Sequence, residues 1–179
     1  MTDNDHRPIY IVLISVHGLI RGNQLELGRD ADTGGQTLYV VELARALAAR
    51  ADVDRVDLFT RLVDDPNLSP DYAVPVEELG DGARIVRIEA GPPGDLPTEQ
   101  LWDHLDAFSD NMLGFLRDED RLPSLIHSHY ADAGYVGSRL SAQLGVPLAH
   151  TGHSLGRVKR QRLLASGLTQ EVIDERYNM

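Results

Sequence analysis

The 179-residue sequence contains no cysteine. Disulfide frameworks, thiolate metal sites and cysteine nucleophiles are thereby excluded. Cations are scarce too: 17 Lys and Arg stand against 28 Asp and Glu, a net charge of −11. That balance argues against a nucleic-acid partner, which needs a basic face for its phosphates. No apolar run approaches the roughly 20 residues of a membrane helix. The longest near the start, Ile9–Ile14, is too short for a signal-peptide core and follows Asp3 and Asp5. The expectation is a cytoplasmic chain with no membrane partner. With 42% apolar and 25% charged residues it is not a disordered polyelectrolyte, and its length suits one domain.

What is present alternates in type. Residues 1–8 are polar and are expected to form a flexible start. Ile9–Ser15 is a continuous, mostly β-branched run, as in strands buried on both faces. A polar, glycine-bearing segment, His17–Thr33, separates it from an amphipathic helix opened by two glycines. In that helix Val40, Leu43, Ala44, Leu47 and Ala48 repeat at helical spacing. Further strands are expected at Arg55–Thr60, Ala83–Ala90, Ser124–Tyr130 and Val146–Thr151. Asp64–Pro75 reads as loop. Thr98 reads as the N-cap of a helix carrying Leu101, Leu105, Phe108, Met112 and Phe115. A helix over Asp132–Leu144 follows, and two short helices divided by Gly167, with Thr169 as a cap, close the chain. Five strands alternating with helices predict an α/β fold: a doubly wound, largely parallel sheet. The last residues carry no glycine, proline or polar tail, so the sequence reads as truncated.

Ligands of open α/β sheets bind beyond the carboxyl ends of the strands. His17, Tyr130 and His153 all fall at such ends. Gly34, Gly35 and Gln36 open a helix, where free amides and the positive helix end suit hydroxyls or phosphates; a plain glycine turn is the alternative. No G-x-G-x-x-G follows the first strand, so a dinucleotide fingerprint is excluded. Thr151–Gly156 places His153 among small residues, where an imidazole can bond a sugar hydroxyl or a developing charge; a strand-edge cap is the alternative. His153–Arg162 holds four cations and no acid, making Lys159 a candidate anion contact or an ordinary surface lysine. His127 and His129 alternate on one strand and face one side. A metal pair with His150 or His153 is conceivable there, but neither H-E-x-x-H nor a suitably spaced carboxylate accompanies them. Gly152–Gly156 imitates a serine-hydrolase elbow but has the wrong register.

Together, SVHGLIRG, LELGRDADTGGQTLYVVELARALA, VDLFTR, HSHYADAGYVGSRLS and VPLAHTGHSLGRVK closely resemble the amino-terminal glycosyltransferase domain of sucrose-phosphate synthases, members of glycosyltransferase family 4. The resemblance runs from Ile9 onward and weakens between Leu62 and Asp95. It implies that residues 9–179 form the amino-terminal, acceptor-side Rossmann-like half of a GT-B enzyme, without its carboxy-terminal donor domain. The implied reaction joins UDP-glucose and fructose 6-phosphate into sucrose 6-phosphate and UDP, with retention at the anomeric carbon. It implies no cofactor in this domain, with Mg2+ as an optional activator. Gly34, Gly35 and Gln36 match the family's glycine loop, and Tyr130 the strand-end tyrosine of its acceptor pocket. His153 matches the histidine at the reacting centre; Ser154 and Lys159 match contacts to the acceptor phosphate. The sequence departs where Gly94 takes the place of an expected lysine. Family arginines also lie beyond Met179. The expectation is that this chain alone does not turn over. A sucrose-synthase-like or other family 4 glycosyltransferase, a non-enzymatic sugar-phosphate-binding module, and a small nucleotide-binding α/β protein unrelated to sugars are the alternatives.

Overall fold

The computed structural model describes residues 8–26, 28–29, 34–153 and 156–177, with side chains omitted for 156–159 and 175–177. In chain order the elements are β1 (Ile9–Ile14), α1 (Gly35–Ala48), β2 (Val53–Arg61), a 3-10 turn (Pro70–Ala73), β3 (Val76–Gly80) and β4 (Ala83–Ile88). Then come α2 (Thr98–Leu101), a second 3-10 turn (Trp102–His104), α3 (Leu105–Asp118), β5 (Leu125–His129), α4 (Ala131–Leu144), β6 (Leu148–Thr151), α5 (Gly156–Ala165) and α6 (Gln170–Tyr177). They form one six-stranded sheet in the order β3-β4-β2-β1-β5-β6. Every pairing is parallel except β3 with β4.

The expected mixed α/β architecture is present. β1 lies inside the sheet and its side chains divide between two cores. Tyr10, Val12 and Ile14 pack with Phe108 and Met112 of α3 and Val136 and Leu140 of α4. Ile11 and Leu13 pack on the opposite face with Val40, Val41 and Ala44 of α1. Burying each large apolar side chain stabilises the fold by roughly 1.5–3 kcal/mol. No helix among the described residues is long and apolar enough to cross a membrane.

Four local expectations are corrected. The antiparallel strand β3 lies in a stretch with no expected strand. It turns into β4 through Asp81 and Gly82, with Gly80 at φ 128° and Gly82 at φ 77°, conformations that favour glycine. The N-cap of α2 is Pro97, in extended conformation, and Thr98 is already helical. The long helix expected after Thr98 breaks at the 3-10 turn, where the His104 ring packs against Gly91. A Cβ at Gly91 would lie 2.6 Å from that ring. β6 begins at Leu148, two residues later than expected, because Gly145 (φ 68°) closes α4 and Val146 is drawn into that cap: its carbonyl accepts from Ser141 Oγ.

Candidate functional site

Chain order explains where a ligand would sit. The chain leaves β1, builds β2 to β4 on one side, then returns to place β5 on the other side of β1. The crevice beyond the carboxyl ends of β1 and β5 is therefore the topological switch point. His17 follows β1 and Tyr130 follows β5.

On the α4 side, His17 and Asp132 are buried, with His17 Nδ1 2.8 Å from Asp132 Oδ2. The other oxygen of Asp132 accepts the Ala133 amide at 2.8 Å, in the first turn of α4. A carboxylate there is favoured by the helix dipole. The His17 ring meets the Tyr130 ring edge-on, centroids 4.6 Å apart. Tyr130 has φ 76° and ψ 169°, a region essentially reserved for glycine, and its amide donates to the Thr151 carbonyl at 2.9 Å. Strain of this kind, costing about 1–3 kcal/mol, concentrates at binding sites.

On the α1 side, Gly34 is the N-cap of α1 and no side chain caps the helix. No acidic residue occupies the first turn. Among the described residues nothing lies within 4 Å of where a Cβ at Gly34 or Gly35 would stand. A ligand can therefore approach the backbone of Gly34 and Gly35 closely. Gln36 Nε2 donates to Ser15 Oγ at 3.1 Å, which ties the helix start to the end of β1. Tyr39, one turn further, is exposed and lies edge-on to His153, centroids 5.3 Å apart.

His153 has φ 52° and an exposed edge. Its Nε2 lies 3.0 Å from Nδ1 of the fully buried His129. His127 stacks obliquely on His129, centroids 4.1 Å apart, and its Nε2 meets Thr151 Oγ1 at 2.8 Å. Burial pushes His129 down to about 3, with His127 and His153 adding to the effect. Burial also lowers His127 and His153; His17 and His150 add to the shift of His153. All three rings are thus neutral at pH 7, as hydrogen-bonding groups rather than cations. Among the described residues no group of three or more His, Asp or Glu is arranged to hold a metal ion.

The structure brings the ends of α1, β1, β5 and β6 together at one rim, with Gln36, Tyr130 and His153 among the residues there. Ser154 lies outside the described residues. Lys159 is on α5, and its side chain also lies outside the description. Gly94 carries the connector before α2, where its carbonyl and that of Pro92 accept from the buried Arg61. A third Arg61 bond reaches the Ala90 carbonyl at 2.9 Å. Asp132 and Tyr39 are not singled out by the sequence, and His129 and His153, conceivable there as metal ligands, are instead joined by a direct hydrogen bond. For His129 part of the signal was available: it ends β5 beside Thr151 of β6, and His153 follows two residues later.

A family model described as a glycosyl transferase 4-like domain matches residues 34–175. The chain is 46% identical to a sucrose-phosphate synthase from Zea mays and 45% to sucrose-phosphate synthase 4 from Arabidopsis thaliana, each match covering 99% of the chain. It spans 19% of the length of either relative. The structure of a sucrose-phosphate synthase from Thermosynechococcus elongatus superposes with TM-score 0.71 at 37% identity, covering 86% of this chain and 35% of that one. The topology is thus that of the amino-terminal half of a GT-B glycosyltransferase.

Proposed function

The chain belongs to the glycosyl transferase 4-like family, and we propose from that premise that it is the acceptor-binding half of a retaining glucosyltransferase of sucrose synthesis. The reaction is transfer of glucose from UDP-glucose to fructose 6-phosphate, giving sucrose 6-phosphate and UDP. The observation that supports this reading best is the shared rim at the switch point, where an uncapped glycine helix start, a strained tyrosine and a neutral histidine converge.

As the glycosidic bond to UDP breaks, negative charge grows on the diphosphate and positive charge on the sugar ring. Groups that meet those charges better than the ground state accelerate the step. The amides of Gly34, Gly35 and Gln36 border the leaving diphosphate and the acceptor. Tyr130 lines the acceptor pocket; Ser154 and Lys159 hold its phosphate. His153, neutral at pH 7, orients donor hydroxyls. Same-face attack of the acceptor hydroxyl needs no protein nucleophile, so His153 forms no covalent intermediate. Holding that hydroxyl against the anomeric carbon is a proximity effect that depends on closure of a second, nucleotide-sugar-binding half. No resident cofactor enters the scheme; Mg2+ is at most an activator, and the compartment is the cytoplasm.

The 179-residue chain with both substrates is expected to give no steady synthesis. Joined to the donor-binding half of a relative, it is expected to make sucrose 6-phosphate, and His153→Ala is expected to remove that turnover. Wild-type-like kinetics in His153→Ala would take His153 out of the mechanism. One observation favours a second, sucrose-synthase-like reading: Gly94 offers no cation to an acceptor phosphate. Titrating the chain with fructose and with fructose 6-phosphate separates the two. Tighter binding of the unphosphorylated sugar sinks the first reading. A Cβ at Gly94 would come no closer than 3.4 Å to any described atom, Asp65 Oδ2. Gly94→Lys combined with Asp65→Asn is therefore expected to tighten fructose 6-phosphate selectively.

A further inference from the structure

We propose that His129 is a positioning residue: it fixes His153 as the Nδ1–H tautomer, so that His153 presents an N–H donor at the rim. His129 Nδ1 and His153 Nε2 are 3.0 Å apart, so one nitrogen carries the hydrogen and the other accepts it. His129 is fully buried, and its Nε2 has no hydrogen-bond partner among the described residues. Were His153 the donor, the proton of neutral His129 would sit on that Nε2. A buried N–H would then stand without an acceptor, costing about 1–3 kcal/mol. With the roles reversed, His129 donates from Nδ1 and Nε2 keeps only a lone pair. Unsatisfied acceptors are better tolerated in protein interiors than orphaned donors.

A doubly protonated His129 would escape the dilemma, but burial and the rings of His127 and His153 oppose it. The Tyr39 ring, with its centroid 5.8 Å from that of His129, offers a buried N–H only a weak, second-order contact. His153 then accepts at Nε2, and its own proton lies on Nδ1. The same bond holds its ring orientation, which Tyr39 braces edge-on. Free histidine in water prefers the proton on Nε2, so the pair holds both rings in the disfavoured form. The hydrogen bond at one nitrogen decides what the other can do. A donor at the rim suits a hydroxyl or phosphoryl oxygen and cannot serve as a base toward an acceptor hydroxyl.

The functional weight of this inference rests on the proposed role of His153; its test does not. Long-range 1H–15N spectra of the histidine-labelled 179-residue chain at pH 7 distinguish protonated from bare ring nitrogens. His129 and His153 are both expected to be protonated at Nδ1 and bare at Nε2. His129→Asn, which keeps a donor near the place of Nδ1, is expected to preserve the His153 pattern. His129→Phe is expected to move the His153 proton to Nε2. A proton on Nε2 of His153 in the native chain overturns the proposal. So does an unchanged His153 pattern in a folded His129→Phe chain; if that variant does not fold, the native and Asn spectra decide. In the joined enzyme, His129→Phe is expected to lower kcat about 10- to 100-fold, the scale seen when the partner of an oriented imidazole is removed, with the acceptor KM little changed. Loss of all transfer by the joined wild-type protein would count against the glucosyltransferase reading and leave the tautomer result standing.

Discussion

Two residues near the rim, Tyr130 and His129, each hold a local energetic cost. Tyr130 occupies φ 76°, ψ 169°, where any Cβ is strained. Truncating it separates backbone from side chain. Tyr130→Ala and Tyr130→Gly both lose the edge contact to His17, but only alanine keeps the strain. The glycine variant is expected to be more stable by about 1–2 kcal/mol in urea unfolding. That order reverses the usual one, in which alanine is preferred because it loses less backbone freedom on folding. Equal stabilities would mean the backbone relaxes and no strain is held. His129 carries its cost in protons. An unfolded histidine titrates near 6.5, while the folded ring is pushed down to about 3. Between those values the unfolded chain binds a proton that the folded chain refuses. Its stability contribution is therefore full above about pH 6.5 and is lost as pH falls toward 3. Between pH 6.5 and 5 the loss from this one group is about 2 kcal/mol. His129→Asn, which cannot titrate, is expected to show a shallower loss between pH 7 and 5 in urea unfolding. Identical slopes would remove His129 as the linked group.

Packing of elements depends on where a helix can touch the sheet. Gly137 brings α4 onto β5 and β6: a Cβ there would stand 3.0 Å from both Leu148 Cδ1 and Ser128 Cβ. Leu148 can rotate, whereas Ser128 Cβ is fixed by its strand. Gly114 of α3 has nothing within 4 Å of the same position. Both are helical glycines, so replacement by alanine gains similar helix propensity, about 1 kcal/mol. Gly114→Ala is expected to stabilise by about 0.5–1 kcal/mol. Gly137→Ala is expected to destabilise by about 1–2 kcal/mol, because α4 must move off the sheet. Stabilisation by both would show that the α4 contact is loose. Elements of this kind were legible in the sequence where period and burial agree. The run Ile9–Ser15 reads as buried on both faces, and it is from Tyr10 onward. In the α1 stripe Val40 and Ala44 are fully buried, while Leu43, Leu47 and Ala48 are half-buried and pack against the same core. β3 was not legible, since Val76–Gly80 mixes exposed and buried positions over five residues and carries two glutamates. Its one clear signal is the Asp81-Gly82 turn, which only makes sense once β4 is taken as its partner. Thr98 misled because a hydroxyl before an apolar period suggests a cap, while the extended Pro97 already ends the connector there.

Across the whole molecule the sheet separates two kinds of polar cluster. The rim at the carboxyl ends of the strands was legible in outline: chain order places His17, Tyr130 and His153 there once the strands are assigned. Its inner contacts were not, because His129–His153 and His17–Asp132 join residues 24 and 115 positions apart, and only the fold supplies that proximity. The second cluster sits lower on the sheet. Asp57 of β2 is fully buried and accepts from Tyr10 at 2.6 Å, Arg55 Nε at 3.0 Å and Arg84 Nε at 2.8 Å. Glu119 joins both arginines at the surface. Burial opposes the charge on Asp57, so this carboxylate is tolerated only because its oxygens are occupied. Asp57→Asn removes the anion and leaves two partly buried guanidinium groups short of a partner. The expected cost is about 3 kcal/mol, at the lower end for broken buried pairs because Glu119 remains. Asp57 lies four residues before the end of β2, away from the rim, so the folded variant is expected to bind fructose 6-phosphate as the native chain does. His153→Ala is expected to weaken ligand binding, and to cost about 1–3 kcal/mol of stability because the N–H of buried His129 loses its acceptor. Urea unfolding and ligand titration on both variants give four numbers. If Asp57→Asn weakened binding as much as His153→Ala, the two clusters would be coupled through the sheet and the division between them would not hold.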